Sequence, residues 1–186
     1  MFEKITLDRI NELDQEGFVS RYGSLFEHSP WVAEEAWESR PFGSVEEMWR
    51  AFEDAMYAAP RERQLDLIRA HPDLAGKAAV AGELTQESAR EQASAGLDRL
   101  SPGEFEAFTR MNREYREKFG LPMVVCVREH TKVSILENVQ SRLGNSRDEE
   151  TRTALAEISK ISHYRLLDLI EREGKQRLKH VGEGQE

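Results

Sequence analysis

The chain has 186 residues, enough for one domain with a sizeable core. Its 26 basic and 35 acidic residues leave a net charge of −9, which argues against nonspecific nucleic-acid binding because that needs a basic footprint. A single cysteine, Cys126, excludes an intrachain disulfide, and no window approaches the ~20 apolar residues that span a bilayer.

Read in chain order, the sequence is punctuated as a set of helices. Met1-Phe2-Glu3-Lys4-Ile5 lacks the apolar stretch of a signal peptide. Ser29-Pro30 offers an N-cap with proline at the first helical position. Ser44-Val45-Glu46-Glu47 has the form of a capping box, and Met48, Trp49, Phe52, Ala55 and Met56 follow at helical spacing. Residues 61–70 repeat the pattern with Leu65, Leu67 and Ile68, and Pro72 ends it. Thr85 opens a helix poor in large apolar residues. Ser101-Pro102-Gly103-Glu104 is another box, ahead of an apolar face of Phe105, Phe108, Met111, Tyr115 and Phe119, with Gly120 at the C-terminal cap position. Met123-Val124-Val125-Cys126-Val127 is β-like but isolated, so it predicts an extended buried segment between helices rather than a sheet. Thr131 caps the next helix, with Ile135, Val139 and Leu143 inward, and Gly144-Asn145 breaks it. Ser146-Arg147-Asp148-Glu149 opens a last helix predicted to reach about Glu173. The expectation is an all-α, single compact multi-helix domain of about seven to nine helices over residues 1–173, with a polar, frayed tail over 174–186. Gly184-Gln185-Glu186 is not a peroxisomal address, and a reducing, cytoplasmic location is expected.

Three polar signals stand apart from this scaffold. His71 falls at the inward edge of its helix and directly before Pro72, where a helix end opens into a loop. It reads either as a cap on C-terminal carbonyls or as a proton carrier. His28, His130, His163 and His180 need no more than surface or satisfied-core roles. Ser88, Glu91 and Gln92 share one face of the Thr85 helix. If the side bearing Ala89, Ala93 and Ala95 packs inward, that polar face could flank a pocket; otherwise it is a solvated face. Arg165 interrupts the apolar stripe Ala154, Ile158, Ile161 and Leu169, where it must meet either an acidic partner or a ligand oxygen. Zinc-helix, Cys/His-cluster, Walker, dinucleotide and nucleophile-elbow motifs are all missing, so any catalysis is expected to need no metal and no cofactor. Cys126, in an apolar run, reads as an inert buried thiol.

Taken together, His71-Pro72-Asp73-Leu74-Ala75-Gly76, Leu84-Thr85 through Ser88 and Glu91-Gln92, Lys118-Phe119-Gly120-Leu121-Pro122, and Ile161 through Arg165-Leu166 resemble the OHCU decarboxylase family, from about residue 8 to about residue 172. OHCU is 2-oxo-4-hydroxy-4-carboxy-5-ureidoimidazoline. The resemblance implies an all-α homodimer that carries out the third step of urate breakdown, from OHCU to (S)-allantoin. It implies His71, Glu91 and Arg165 as catalytic residues. Substrate contacts would come from Pro72, from Ser88, Ala89, Arg90, Glu91 and Gln92, from Met123, Val124, Val125, Cys126 and Val127, and from Arg165. Leu121 and Met123 depart from the family's usual phenylalanines, which removes aromatic stacking from that wall. In this reading His71 moves a proton and Glu91 fixes its tautomer or binds ureido N–H groups. Gln92 reads amide edges, and Arg165 holds an oxygen as negative charge develops. A helical interaction module, an inactive relative, or a lyase or hydrolase acting on a related ureide are the alternatives. The interaction module would scatter His71, Glu91 and Arg165 over separate surfaces.

Overall fold

The computed structural model describes residues 4–171, which hold ten α-helices. They are α1 (Leu7–Asn11), α2 (Gln15–Tyr22), α3 (Trp31–Trp37), α4 (Val45–Ala58), α5 (Arg61–Arg69), α6 (Lys77–Ala81), α7 (Gln86–Ser94), α8 (Pro102–Phe119), α9 (Lys132–Arg142) and α10 (Arg147–Leu169). Two 3-10 turns lie at Gly23–Leu25 and Val127–Glu129. The all-α expectation holds, with eight of the ten helices at least seven residues long. No described helix is long and apolar enough to cross a membrane.

Local chemistry sets most of the helix ends. At α8 the Ser101 hydroxyl accepts the Glu104 N–H while the Glu104 carboxylate accepts the Ser101 N–H, a complete capping box. Gly120 closes the same helix at φ 69°, a left-handed conformation that costs glycine little. Ser146 and Glu149 form the same box at α10. The box expected at α4 is half formed: Ser44 caps the Glu47 N–H, but the Glu47 carboxylate reaches the N–H of Gly43 rather than that of Ser44. Ser29 makes no cap bond, and α3 starts behind Pro30 as its N-cap. The last helix stops at Leu169, short of Glu173. Ile170 pairs with Ile5 in an isolated parallel bridge and the Glu171 N–H donates to the Ile5 carbonyl, so the N-terminal segment pulls the chain out of the helix. Residues 172–186, including the predicted tail and His180, lie outside the described residues.

One continuous core has two parts that meet along α10. Beneath α2, α3 and α4, the rings of Phe18, Tyr22, Phe26, Phe42 and Phe52 pack at centroid distances of 5.0–6.4 Å, Phe18 and Phe52 stacked and the other pairs tilted. Burying each such ring contributes about 1.5–3 kcal/mol. On the other side, Phe108, Met111, Tyr115 and Phe119 of α8 face α9 and the extended run 121–126. Phe105 does not join them and is 44 % exposed: one turn into α8, the helix has not yet reached the core.

That second part of the core contains a charged cluster. Arg142 of α9 binds the carboxylate of Glu150 on α10, and Asn145 donates to its second oxygen at 2.9 Å. The Tyr115 hydroxyl also donates to Glu150, and burial pushes its phenol pKa up. Arg142 Nη1 then donates to the Val124 carbonyl at 2.7 Å. The cluster ties α8, α9 and α10 to the extended run, which forms one wall of the pocket described next.

Candidate active site

His71 sits where α5 runs out against Pro72. It is 6 % exposed, and its Nδ1 lies 2.9 Å from the Leu67 carbonyl one turn back. A carbonyl only accepts, so Nδ1 carries the proton and Nε2 keeps its lone pair. The tautomer is thus fixed by the α5 backbone, not by Glu91 as the sequence suggested. Burial pushes the His71 pKa down from 6.5 to about 4, and the nearby positive charge of Arg165 pushes the same way. The imidazole is therefore neutral over the physiological range. The cap reading holds for Nδ1, while Nε2 keeps the free lone pair that the proton-carrier reading requires.

The loop after His71 is clamped. Gln92 accepts the Ala75 N–H at 2.9 Å and donates to the Asp73 carbonyl at 3.4 Å. Asn112 donates to the Leu74 carbonyl, and the Arg116 Nε–H is shared between the two Asp73 carboxylate oxygens at 2.9 and 3.0 Å. Ala75 is held at φ 49°, a conformation that favours glycine, so this clamp carries some backbone strain.

On α7 the inward face is the polar one. Ser88, Glu91 and Gln92 are buried, whereas Ala89 is exposed and Ala93 and Ala95 are half-buried. The burial is tolerable because partners arrive from three elements. Arg165 of α10 binds Glu91 with Nε at 2.9 Å and Nη2 at 2.7 Å. Its Nη1 reaches Glu27 at 3.2 Å and the carbonyls of Ser24 and Leu25 at 3.3 Å, and Nη2 also reaches the Ser88 hydroxyl at 3.3 Å. Burial works against the charge on Arg165, but the two carboxylates outweigh it and its pKa lies above the ordinary value.

Glu27 is the residue that the sequence did not single out. It is 3 % exposed and accepts from Thr85 at 2.7 Å and Ser88 at 3.0 Å besides Arg165. Burial alone would raise its pKa, but the Thr85 hydrogen bond and the Arg165 charge bring it below the ordinary value. A lone carboxylate in a turn has no periodicity to mark it as buried. The one signal was its place between Phe26 and Ser29-Pro30, which fix the turn from both sides.

One pocket gathers most of the expected residues: His71, Pro72, Ser88, Glu91, Gln92 and Arg165, with Met123, Val124, Val125 and Val127 on its other side. Cys126 is buried behind that wall, and burial raises its thiol pKa to about 11. Ala89 lines a separate groove, and Arg90 lines another cavity together with Arg128 and Arg165. His71, Glu91 and Arg165 are thus not scattered over separate surfaces. Among the described residues, no group of three His, Cys, Asp or Glu side chains is placed to hold a metal ion.

A neutral imidazole beside an arginine shared by two carboxylates, inside a helical scaffold, has the make-up of a site for acid–base work on a small molecule. The OHCU decarboxylase family model matches residues 11–167, and the chain belongs to that family. It is 45 % identical over 165 residues to a 2-oxo-4-hydroxy-4-carboxy-5-ureidoimidazoline decarboxylase of Haloferax volcanii, covering 89 % of this chain and 96 % of that one. It is 39 % identical to the Xenopus laevis protein of the same name, covering 88 % and 93 %. A uric acid degradation bifunctional protein of Bacillus subtilis matches 95 % of this chain with 35 % of its own length, at 38 % identity. The fold is shared with a crystal structure of (S)-allantoin synthase, at TM-score 0.72 and 24 % identity over 90 % of this chain and 54 % of that one.

Proposed function

We propose that this chain decarboxylates OHCU to (S)-allantoin and that His71 carries the proton. OHCU bears its carboxylate and a hydroxyl on one ring carbon, next to a C=N bond. When the C–CO2 bond breaks, its electron pair flows into that C=N system, so the substrate supplies its own electron sink and no cofactor enters the scheme. The ring nitrogen takes a proton from water. The hydroxyl proton passes to His71 Nε2 as the carbonyl forms, and His71 returns it to the neighbouring ring carbon on one face.

The fixed tautomer of His71 carries this reading. With Nδ1 engaged by Leu67, only Nε2 is left to take part, and its depressed pKa means that the resting enzyme presents a base. This favours His71 acting first as an acceptor and then as the donor. Arg165 holds an oxygen on which charge develops. Its bonds of 3.2–3.3 Å to Glu27, Ser24, Leu25 and Ser88 are the ones a substrate oxygen displaces, while the 2.7 Å bond to Glu91 stays. Glu91 and Glu27 keep that guanidinium in place, and in this scheme Glu91, which lines the pocket, also accepts from ureido N–H groups. A homodimer and a cytoplasmic location complete the proposal. The family resemblance supports the first, and the free, buried Cys126 suits a reducing compartment. Light scattering that gives the mass of one chain would remove the dimer.

The test is to follow the circular-dichroism signal of freshly generated OHCU. Added protein should abolish it in step with the appearance of optically active (S)-allantoin. An unchanged rate of decay, with racemic allantoin, would refute the assignment.

A further inference from the structure

The extended run that walls the pocket is held from behind at alternate residues. The Val124 carbonyl accepts from Arg142 at 2.7 Å, and the Cys126 N–H donates to Glu157 Oε2 at 2.8 Å. In an extended chain the backbone groups of successive residues point to opposite sides. With residues 124 and 126 committed to α9 and α10, the N–H and C=O of Val125 face the other way. Val125 lines the pocket, and its backbone groups have no partner among the described residues.

Glu157 is itself held firmly. Its side chain is 12 % exposed, and its other oxygen accepts from Lys160 at 2.7 Å. It lies on α10 eight residues before Arg165, about 12 Å along the axis, so one rigid helix fixes both the wall and the guanidinium.

We propose that Glu157 is a positioning residue for the decarboxylation. By holding the Cys126 N–H it sets the rotation of the 124–127 backbone and turns the Val125 amide edge into the pocket. That edge offers one donor and one acceptor side by side, the two-point pairing one strand offers another. Its partner is a cyclic amide or ureide edge, C=O beside N–H, of the substrate. The proposal rests on the OHCU reading and adds the residue behind the wall.

Two measurements on the full chain test it. In steady-state OHCU kinetics, Glu157→Ala should raise KM about tenfold with a smaller change in kcat, as expected when one ground-state contact pair is lost. Glu157→Gln, whose amide oxygen still accepts, should stay within roughly twofold of wild type. By NMR, (S)-allantoin added to wild-type protein should shift the Val125 amide resonance, and Glu157→Ala should lose that shift at the same ligand concentration. A wild-type KM in Glu157→Ala overturns the proposal. So does a Val125 amide that stays put in saturated wild-type protein, a result that needs no variant to fold. Wild-type protein that neither consumes OHCU nor binds allantoin would instead overturn the function reading on which the proposal stands.

Discussion

Replacing His71 by asparagine tests its environment as well as its chemistry. An asparagine amide can still donate to the Leu67 carbonyl, so the helix end should survive. In the native protein burial keeps His71 neutral down to about pH 4, whereas the unfolded chain takes up that proton near 6.5. Between those values the unfolded state binds more protons. Stability is therefore unaffected above pH 6.5 and is lost as pH falls from 6.5 towards 4. The linkage relation gives a loss of about 2 kcal/mol at pH 5 relative to pH 8, and a limit of about 3 kcal/mol below pH 4. Urea unfolding of wild type and His71→Asn at pH 8, 6 and 5 isolates this contribution, because every other titrating group is common to both. The variant should lose about 2 kcal/mol less than wild type between pH 8 and 5. Parallel profiles would refute a neutral, buried His71, and with it the resting base.

Arg165→Lys keeps the charge but loses the fork that spans Glu91 and Glu27, so KM should rise more than kcat falls in OHCU kinetics; equal falls in kcat and kcat/KM would assign the arginine to the transition state alone. Glu150→Ala leaves Arg142 buried without its carboxylate and should cost about 3–5 kcal/mol of unfolding free energy by urea titration, whereas a loss below about 1 kcal/mol would show the cluster to be solvated. Protein treated with EDTA and dialysed should keep its full rate on OHCU, and recovery only on adding zinc or pyridoxal phosphate would contradict the electron-sink argument.

Much of the scaffold is legible because it depends on local chemistry. The box at Ser101, the helix start at Ser146 and the glycine at 120 depend on contacts within one turn, and the structure keeps all three. Tertiary partners decide the rest. Glu47 chooses Gly43 over Ser44, and Ile170 leaves its helix to meet Ile5, neither of which periodicity reveals. In the pocket, His71 and Arg165 stand out because each is costly where its helix puts it. Glu27 stayed hidden, and the polar side of α7 turned out to be the buried one. A lone carboxylate and an Ala-rich helix carry no sign of which side Arg165 will approach. Gln92 and the Leu67 carbonyl have structural duties that residue type alone does not assign.

The central claim, that His71 moves the proton in OHCU decarboxylation, is tested most directly by the turnover of His71→Asn on freshly generated OHCU, with the product resolved by circular dichroism. The account predicts a kcat at least ~10²-fold below wild type, the usual worth of a positioned acid–base group. A near-wild-type kcat that still released (S)-allantoin with full stereochemistry would contradict it.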